Sequence, residues 1–400
     1  MSDGIDAAGV NAGGGDPAGV DYGDGTRAAH AGLPDAVPGR PFVPGPVLAA
    51  PYHLDPATGP RAGLDGYGRT DNASWRALEA AIAGLEAPGG GAECVTFASG
   101  MAAISATLFA VLRPGDTIVL PADGYYKTRA FAADRLAPLG ITVAEAPTAG
   151  PYPSFAGVRL VLLESPANPG LDVCDIPALA AAAHAAGALI AVDNTAATPL
   201  GQRPLALGAD FSVASGTKAL TGHSDLLLGY VCASDPALAA SVRDWRGQTG
   251  GIPGGFEAWL AHRSLATLDI RLARQTANAT AVAAMLASHP LVMSVRFPGR
   301  PDDPSYAVAM AQMRRVPGIV TFTLPSAAHV TAMLDASTLV AAATSFGGVH
   351  SSADRREQWG DPVPPGLVRM SCGIEDATDL VADLEAAVDH AMHAVGGSRD

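Results

Sequence analysis

The strongest constraint on the fold of this 400-residue chain lies between residues 93 and 233, where short apolar runs alternate with helix-like stretches. ECVTFA, TIVLP, ITVAEA, VRLVLLE, LIAVD, FSVAS and LLLGYV have strand length, while AAISATLFAV, TRAFAADRL and ALAAAAHAA fit helices between them. Runs that stay apolar throughout suit strands covered on both faces, and intervening helices supply the crossovers that parallel pairing needs. The expected class is α/β, with a mostly parallel central sheet whose ligand lies beyond the carboxyl ends of its strands.

The flanks read differently. Residues 1–24 are Gly, Ala and Asp with little to bury, which predicts a flexible tail. Residues 25–73, dense in Pro and Gly, read as an extended arm, followed by a helix over Trp75 to Glu86 with Ser74 as its N-cap. Residues 74–250 form the expected large domain. GGIPGG at 250–255 breaks the alternation, and LVMSVRFPG, GIVTFTL, LVRMSCG and a last helix from near Glu375 predict a smaller α+β domain over 251–400.

Composition removes several function classes. Lys+Arg 25 against Asp+Glu 39 gives a net charge of -14 with no basic run, which disfavours nucleic acid and anionic membranes as partners. An apolar content of 48% with 16% charged residues excludes a disordered chain. Cys94, Cys174, Cys232 and Cys372 lie far apart without zinc-finger spacing, so they read as reduced thiols and no metal is expected. The start lacks a basic, leucine-rich signal and no run of about 20 strongly apolar residues occurs. The expected compartment is the cytoplasm.

Only Lys127 and Lys218 supply a lysine amine. Lys218 follows an apolar strand in VASGTKALTGHSD, between small and hydroxyl residues. A partly desolvated amine there loses basicity and becomes a nucleophile suited to a carbonyl, and Ser215 and Thr217 beside it suit a phosphate. Asp193 closes the run LIAVD, where a buried carboxylate needs a partner such as a protonated pyridine nitrogen. FASGMAAISATLFAV reads as strand, turn and helix, whose first amides can bind phosphate. In DGYYKTRAF, Tyr125 and Tyr126 could stack on a planar ring. Taken singly, each has a structural explanation: a surface lysine, a helix cap or loop salt bridge, a common glycine turn, a core aromatic pair.

In order along the chain stand YGRTDN, SGM, D-x-Y-x-x-T, ESPANP, VDNT, S-x-TK-x-x-x-GHSD, WL-x-x-R-x-L-x-TL, SFGGVHS and VRMSCGIED. With these blocks the chain resembles the cystathionine γ-lyase, cystathionine γ-synthase and methionine γ-lyase family of pyridoxal 5'-phosphate enzymes, from about residue 25 to residue 395. The resemblance implies an aspartate aminotransferase-like fold. It also implies that Lys218 holds the cofactor covalently and later moves protons, that Asp193 pairs with the ring nitrogen, and that Tyr125 stacks on the ring and protonates the leaving group. Gly100, Met101, Ser215 and Thr217 would cradle the phosphate, while Tyr67 and Arg69 would reach a neighbouring subunit's phosphate, which requires at least a dimer; the expected homo-oligomer is a dimer of dimers, although the arm fits a simple dimer equally. Arg369, helped by Asn168 and the backbone near Ser345, would fork the substrate α-carboxylate, and Glu164 would brace the site. The implied reaction is γ-elimination of L-cystathionine to L-cysteine, 2-oxobutanoate and ammonia, with γ-synthase, methionine γ-lyase or a non-catalytic scaffold as alternatives.

Two departures bear on the substrate. Tyr126 and Lys127 stand where the family usually has two glycines, and Lys127 could meet a distal carboxylate. His350 stands where a carboxylate often occurs, which removes one partner for a distal ammonium. Ala73 and Ser74 replace the usual Pro-Thr, a conservative change.

Overall fold

The computed structural model describes residues 22–59 and 66–396. Most of the expected tail, and residues 60–65 of the expected arm, lie outside the described residues. Strands run Glu93–Phe97 (β1), Thr117–Pro121 (β2), Thr142–Ala146 (β3), Leu160–Glu164 (β4), Leu189–Asp193 (β5), Phe211–Ala214 (β6) and Gly229–Ala233 (β7). A second group comprises Ser294–Arg296 (β8), Ile319–Thr323 (β9), Ala341–Ala342 (β10), Ser352–Arg355 (β11) and Leu367–Ser371 (β12). Helices are Asp24–His30 (α1), Ala73–Glu86 (α2), Gly100–Val111 (α3), Tyr126–Phe131 (α4), Ile176–Ala185 (α5) and Thr198–Gly201 (α6). They continue as Pro236–Thr249 (α7), Gly255–Leu265 (α8), Leu268–Ser288 (α9), Tyr306–Gln312 (α10), Ala327–Ala336 (α11) and Ala377–Gly396 (α12).

The first sheet has the order β1-β7-β6-β5-β4-β2-β3. Only β7 runs antiparallel to its neighbours, so the carboxyl ends of the other six face one rim. Every residue of β4 is buried, as the unbroken LVLLE run requires of a central strand covered on both sides. One apolar layer packs Ile104 and Leu108 of α3 on Phe97, Leu120 and Phe211, and another packs Ile176 and Ala180 of α5 on Val161 and Ile190. The second sheet, in the order β10-β11-β12-β9-β8, packs Phe322 and Met370 against Val282 and Leu286 of α9 and Leu384 and Val388 of α12. Helix α9 joins both layers, since Leu268 and Leu272 near its start belong to the core around Trp75 and Tyr230.

Three local expectations change. The N-cap of α2 is Asn72, whose side chain accepts from the Ser74 amide, while the Ser74 hydroxyl accepts from Val47 and pins the arm. Asn is as good a cap as Ser, and the helix begins at Ala73, two residues earlier than its apolar pattern shows. The start of the arm is helical: α1 buries Ala28, and Asp24 in its first turn pairs with Arg203 and Arg314. TRAFAADRL is not one helix either, because α4 passes into a π-helical turn over Ala132–Leu136.

Candidate active site

A cavity of about 360 Å³ opens beyond the carboxyl rim of the first sheet, a size suited to a cofactor or small substrate. Successive strand ends furnish its walls: Ser99, Gly100 and Met101 after β1, Tyr125 and Tyr126 after β2, Glu164 and Asn168 from β4, Asp193 and Thr195 from β5, and Ser215, Thr217 and Lys218 after β6. The second sheet contributes Ser345, Phe346, Arg356, Trp359 and Arg369. The cavity thus gathers Lys218, Tyr125, Gly100, Met101, Asp193, Ser215, Thr217, Asn168, Ser345 and Arg369 from 270 residues of chain.

Lys218 Nζ donates to Ser345 Oγ at 2.6 Å and lies 5.5 Å from the Phe346 ring centroid. Burial, with the nearby Arg369 and Arg356 charges, lowers its amine to about 8. Two carbonyls just after it, of Ala219 and Leu220, accept from the buried Arg271 guanidinium of α9 at 2.8 and 3.0 Å, which fixes the lysine loop from behind. Ser345 has φ +81°, a left-handed backbone unusual for a side chain larger than glycine's, and this turn aims its hydroxyl at Lys218 and its carbonyl at Arg369.

Asp193 is buried, and its Oδ1 accepts from both the amide and the hydroxyl of Thr195. The same Thr195 hydroxyl accepts from the Ser215 amide at 2.8 Å, tying the β5 acid to the β6 loop. Glu164 stands directly opposite Asp193 in the ladder. Its two oxygens accept from the amides of Tyr125 at 2.7 Å and Asn168 at 2.8 Å. Burial raises both carboxyls, and the Asp193 charge raises Glu164 further. The Tyr125 phenol is also raised, first by burial, so it holds its proton.

At the other end, Arg369 Nη1 donates to Asn168 Oδ1 at 2.6 Å and Nη2 to the Ser345 carbonyl at 2.9 Å and Asp354 Oδ1 at 3.2 Å. Its Nε is buried with no hydrogen-bond partner among the described residues. The Arg369 guanidinium lines the cavity and keeps unused donor capacity, which suits an incoming carboxylate.

Other expected residues stay outside. Tyr67 and Arg69 are exposed, Arg69 lies over the Tyr67 ring and bonds the Gly247 carbonyl, and neither lines this cavity. Lys127 is exposed, its Nζ 5.0 Å from the Tyr126 ring centroid, and only Tyr126 of the pair reaches the lining. His350 borders a neighbouring chamber that shares Thr217, Leu227, Thr344, Ser345 and Phe346 with the first. Sequence reading missed Arg356, Trp359, Thr195 and Arg271. The first two lie in SADRREQWGD, which resembles a solvated charge run, and nothing local separates it from one.

The family model for Cys/Met metabolism PLP-dependent enzymes matches residues 49–389. The chain belongs to this family. A Streptomyces coelicolor protein provisionally named cystathionine gamma-lyase is 57% identical over 92% of this chain and 94% of its own length. A Mycobacterium bovis cystathionine gamma-synthase is 39% identical over 92% of this chain and 97% of its own. A crystal structure of a cystathionine gamma lyase from Micromonospora echinospora superposes with a TM-score of 0.83 at 36% identity, covering 92% of this chain and 100% of the other. A methionine gamma lyase structure from the same organism gives 0.84 at 36% identity, covering 92% and 99%. The chain is a pyridoxal phosphate-dependent enzyme of this family.

The residues present fit that cofactor. A Cβ on Gly100 would lie 2.6 Å from Ser215 Cβ, so helix α3 and the β6 loop approach as closely as glycine permits. The Gly100 and Met101 amides find no acceptor among the described residues, and Asp193 Oδ2 accepts no hydrogen bond from them. These groups could hold a phosphate and a ring N–H. Thr217 is less free, since its hydroxyl donates to the Leu228 carbonyl and accepts the Leu228 amide. Among the described residues no helix is long and apolar enough to cross a membrane, and no cluster of His, Cys, Asp or Glu could hold a metal ion.

Proposed function

We propose that this enzyme performs γ-elimination on L-cystathionine, yielding L-cysteine, 2-oxobutanoate and ammonia. The observation that carries this reading is a single cavity lined by a base of lowered basicity, Lys218, a buried acid, Asp193, and the guanidinium of Arg369, whose Nε has no hydrogen-bond partner among the described residues. The bound cofactor supplies an electron sink, strongest while its ring nitrogen is protonated. Asp193 keeps that proton in place, since its burial would otherwise leave a carboxylate without a cationic partner. Arg369 and Asn168 orient the amino acid by its α-carboxylate. The Lys218 amine, freed when the substrate amine replaces it, takes the Cα proton and then serves the proton shift from Cβ. The Cγ–S bond breaks with its electron pair on sulfur, the neutral Tyr125 phenol donates a proton to that thiolate, and water hydrolyses the remaining four-carbon unit to the 2-oxo acid and ammonia.

The exposed Tyr67 and Arg69 are proposed to complete a partner subunit's phosphate site, in a homo-oligomer built as a dimer of dimers. Four buried free cysteines support a reducing, cytoplasmic setting. A methionine γ-lyase reading is favoured by one observation: the cavity lining offers the apolar Met101, Ile104 and Leu227. Release of 2-oxo acid from cystathionine, methionine, homocysteine and cysteine, with O-acylated homoserine plus cysteine alongside, tests these readings. The proposal expects 2-oxobutanoate and cysteine in equal amounts from cystathionine at the highest kcat/KM, whereas a preference for methionine or net cystathionine synthesis would replace it.

A further inference from the structure

Beside Arg369 the cavity wall carries a second buried guanidinium, Arg356, within a closed set of charges. Asp354 and Arg369 are direct cross-strand partners in the β11–β12 ladder, so their contact is fixed by backbone pairing. Asp354 Oδ1 accepts from Arg369 at 3.2 Å, while its Oδ2 accepts from Arg356 Nη1 at 3.0 Å and from the Trp359 indole at 2.9 Å. A 3-10 turn over Arg356–Trp359, closed by Gly360 at φ +85°, folds the chain back so that Asp361 also reaches Arg356, at 2.9 and 2.6 Å. All four charged side chains are at most 4% exposed. Arg356, Trp359 and Arg369 line the cavity, and Asp354 lies behind them.

We propose that Arg356 is a positioning residue for substrate binding: by sharing the Asp354 carboxylate, it governs how freely Arg369 meets the substrate α-carboxylate. The inference rests on the reading that Arg369 takes that carboxylate. A buried acid facing Arg369 alone would compete with the substrate for the guanidinium. Arg356 draws half of Asp354 away through Oδ2, and Asp361 holds Arg356 in the posture that allows this. Arg369 Nε is left without a hydrogen-bond partner among the described residues. Two arginines and two aspartates give a neutral cluster, so the substrate meets a polarised but balanced wall.

The test is epistasis in the holoenzyme. Asp354→Asn keeps the shape and the Arg356–Asp361 pair while removing the competing charge, and it lowers KM by about threefold. Arg356→Lys retains the charge but not the fork, so Asp354 turns to Arg369 and KM rises by about tenfold, with kcat falling less than about threefold. The double variant should show the KM of Asp354→Asn alone, because Arg356 acts through Asp354. Additive effects, as independent structural damage gives, or a raised KM for Asp354→Asn, would overturn the inference. Binding of 3-(methylthio)propylamine, which has the amine but no carboxylate, should be equal in all variants. Arg369→Met separates the two claims: if it leaves KM unaltered, the carboxylate reading fails, and if it raises KM while the epistasis is missing, only the role of Arg356 fails.

Discussion

At the cofactor end of the cavity Lys218 and Asp193 have only neutral hydrogen-bond partners, hydroxyls and an amide, and burial pushes both toward their uncharged forms. At the carboxylate end Arg369 and Arg356 are buried more deeply than Lys218, yet each is paired with an acid. The difference follows from what each end must do. Lys218, as a proton carrier, must change charge within a working pH range, so a permanent counter-ion would hold it in one state, while Asp193 is left for the cationic ring nitrogen of the bound cofactor. A docking arginine must keep its charge, so its acids prevent the cost of an isolated buried ion. Changes at the first end should therefore appear in turnover, and changes at the second in substrate affinity.

The largest effect is expected for Lys218→Ala. Loss of the proton carrier should lower kcat by about a thousandfold, within the range for positioned acid-base groups. In the parent apoprotein the rate of covalent capture of the cofactor should climb as pH rises through about 8, where the amine loses its proton. Arg369→Met should instead raise KM by about a hundredfold, as removing one side of a buried charge contact does, with a smaller loss in kcat. Steady-state kinetics on both variants decides whether the two ends divide the work; equal losses in kcat would erase the distinction.

Glu86 sharpens the argument away from the reaction. It is wholly buried under the first sheet, and its Oε1 accepts from Ser212 and Tyr230 at 2.8 and 2.7 Å. Its Oε2 has no partner among the described residues, and burial raises the acid from 4.5 to about 7. Because the folded state binds this proton more tightly, the contribution is fully favourable below pH 4.5 and is lost as pH rises through about 7. Glu86→Gln, which mimics the protonated form, should therefore stabilise the protein at pH 8 by roughly 2 kcal/mol. Denaturant melts at pH 8 and pH 4 check this, with the gain absent at the lower pH. Smallest of all, Lys127→Ala should change KM for cystathionine by less than about twofold, as a solvent-facing charge does; a larger rise would return Lys127 to the substrate path.

The cofactor end was legible because its chemistry sits at strand ends in local blocks. LIAVD delivers Asp193, and SGTK delivers Ser215 and Lys218, in the order the parallel sheet stacks them. The carboxylate end was only half legible. Arg369 stands in a recognisable block, but its partner Asp354 is a neighbour only through β11–β12 pairing, and Arg356 and Trp359 turn inward through a 3-10 turn that their charged surroundings conceal. Helix α1 was hidden for a related reason: seven residues with one buried alanine have no apolar period, and the Asp24 pairs with Arg203 and Arg314 that support it span 179 and 290 positions.

Two lysines in 400 residues make the central claim unusually simple to test. Incubating the purified chain with pyridoxal phosphate, fixing the adduct with borohydride and mapping the modified peptide reports which amine the cofactor joins. The account predicts one label per chain, on Lys218; a label on Lys127 or on the N-terminal amine, or none at all, would contradict it.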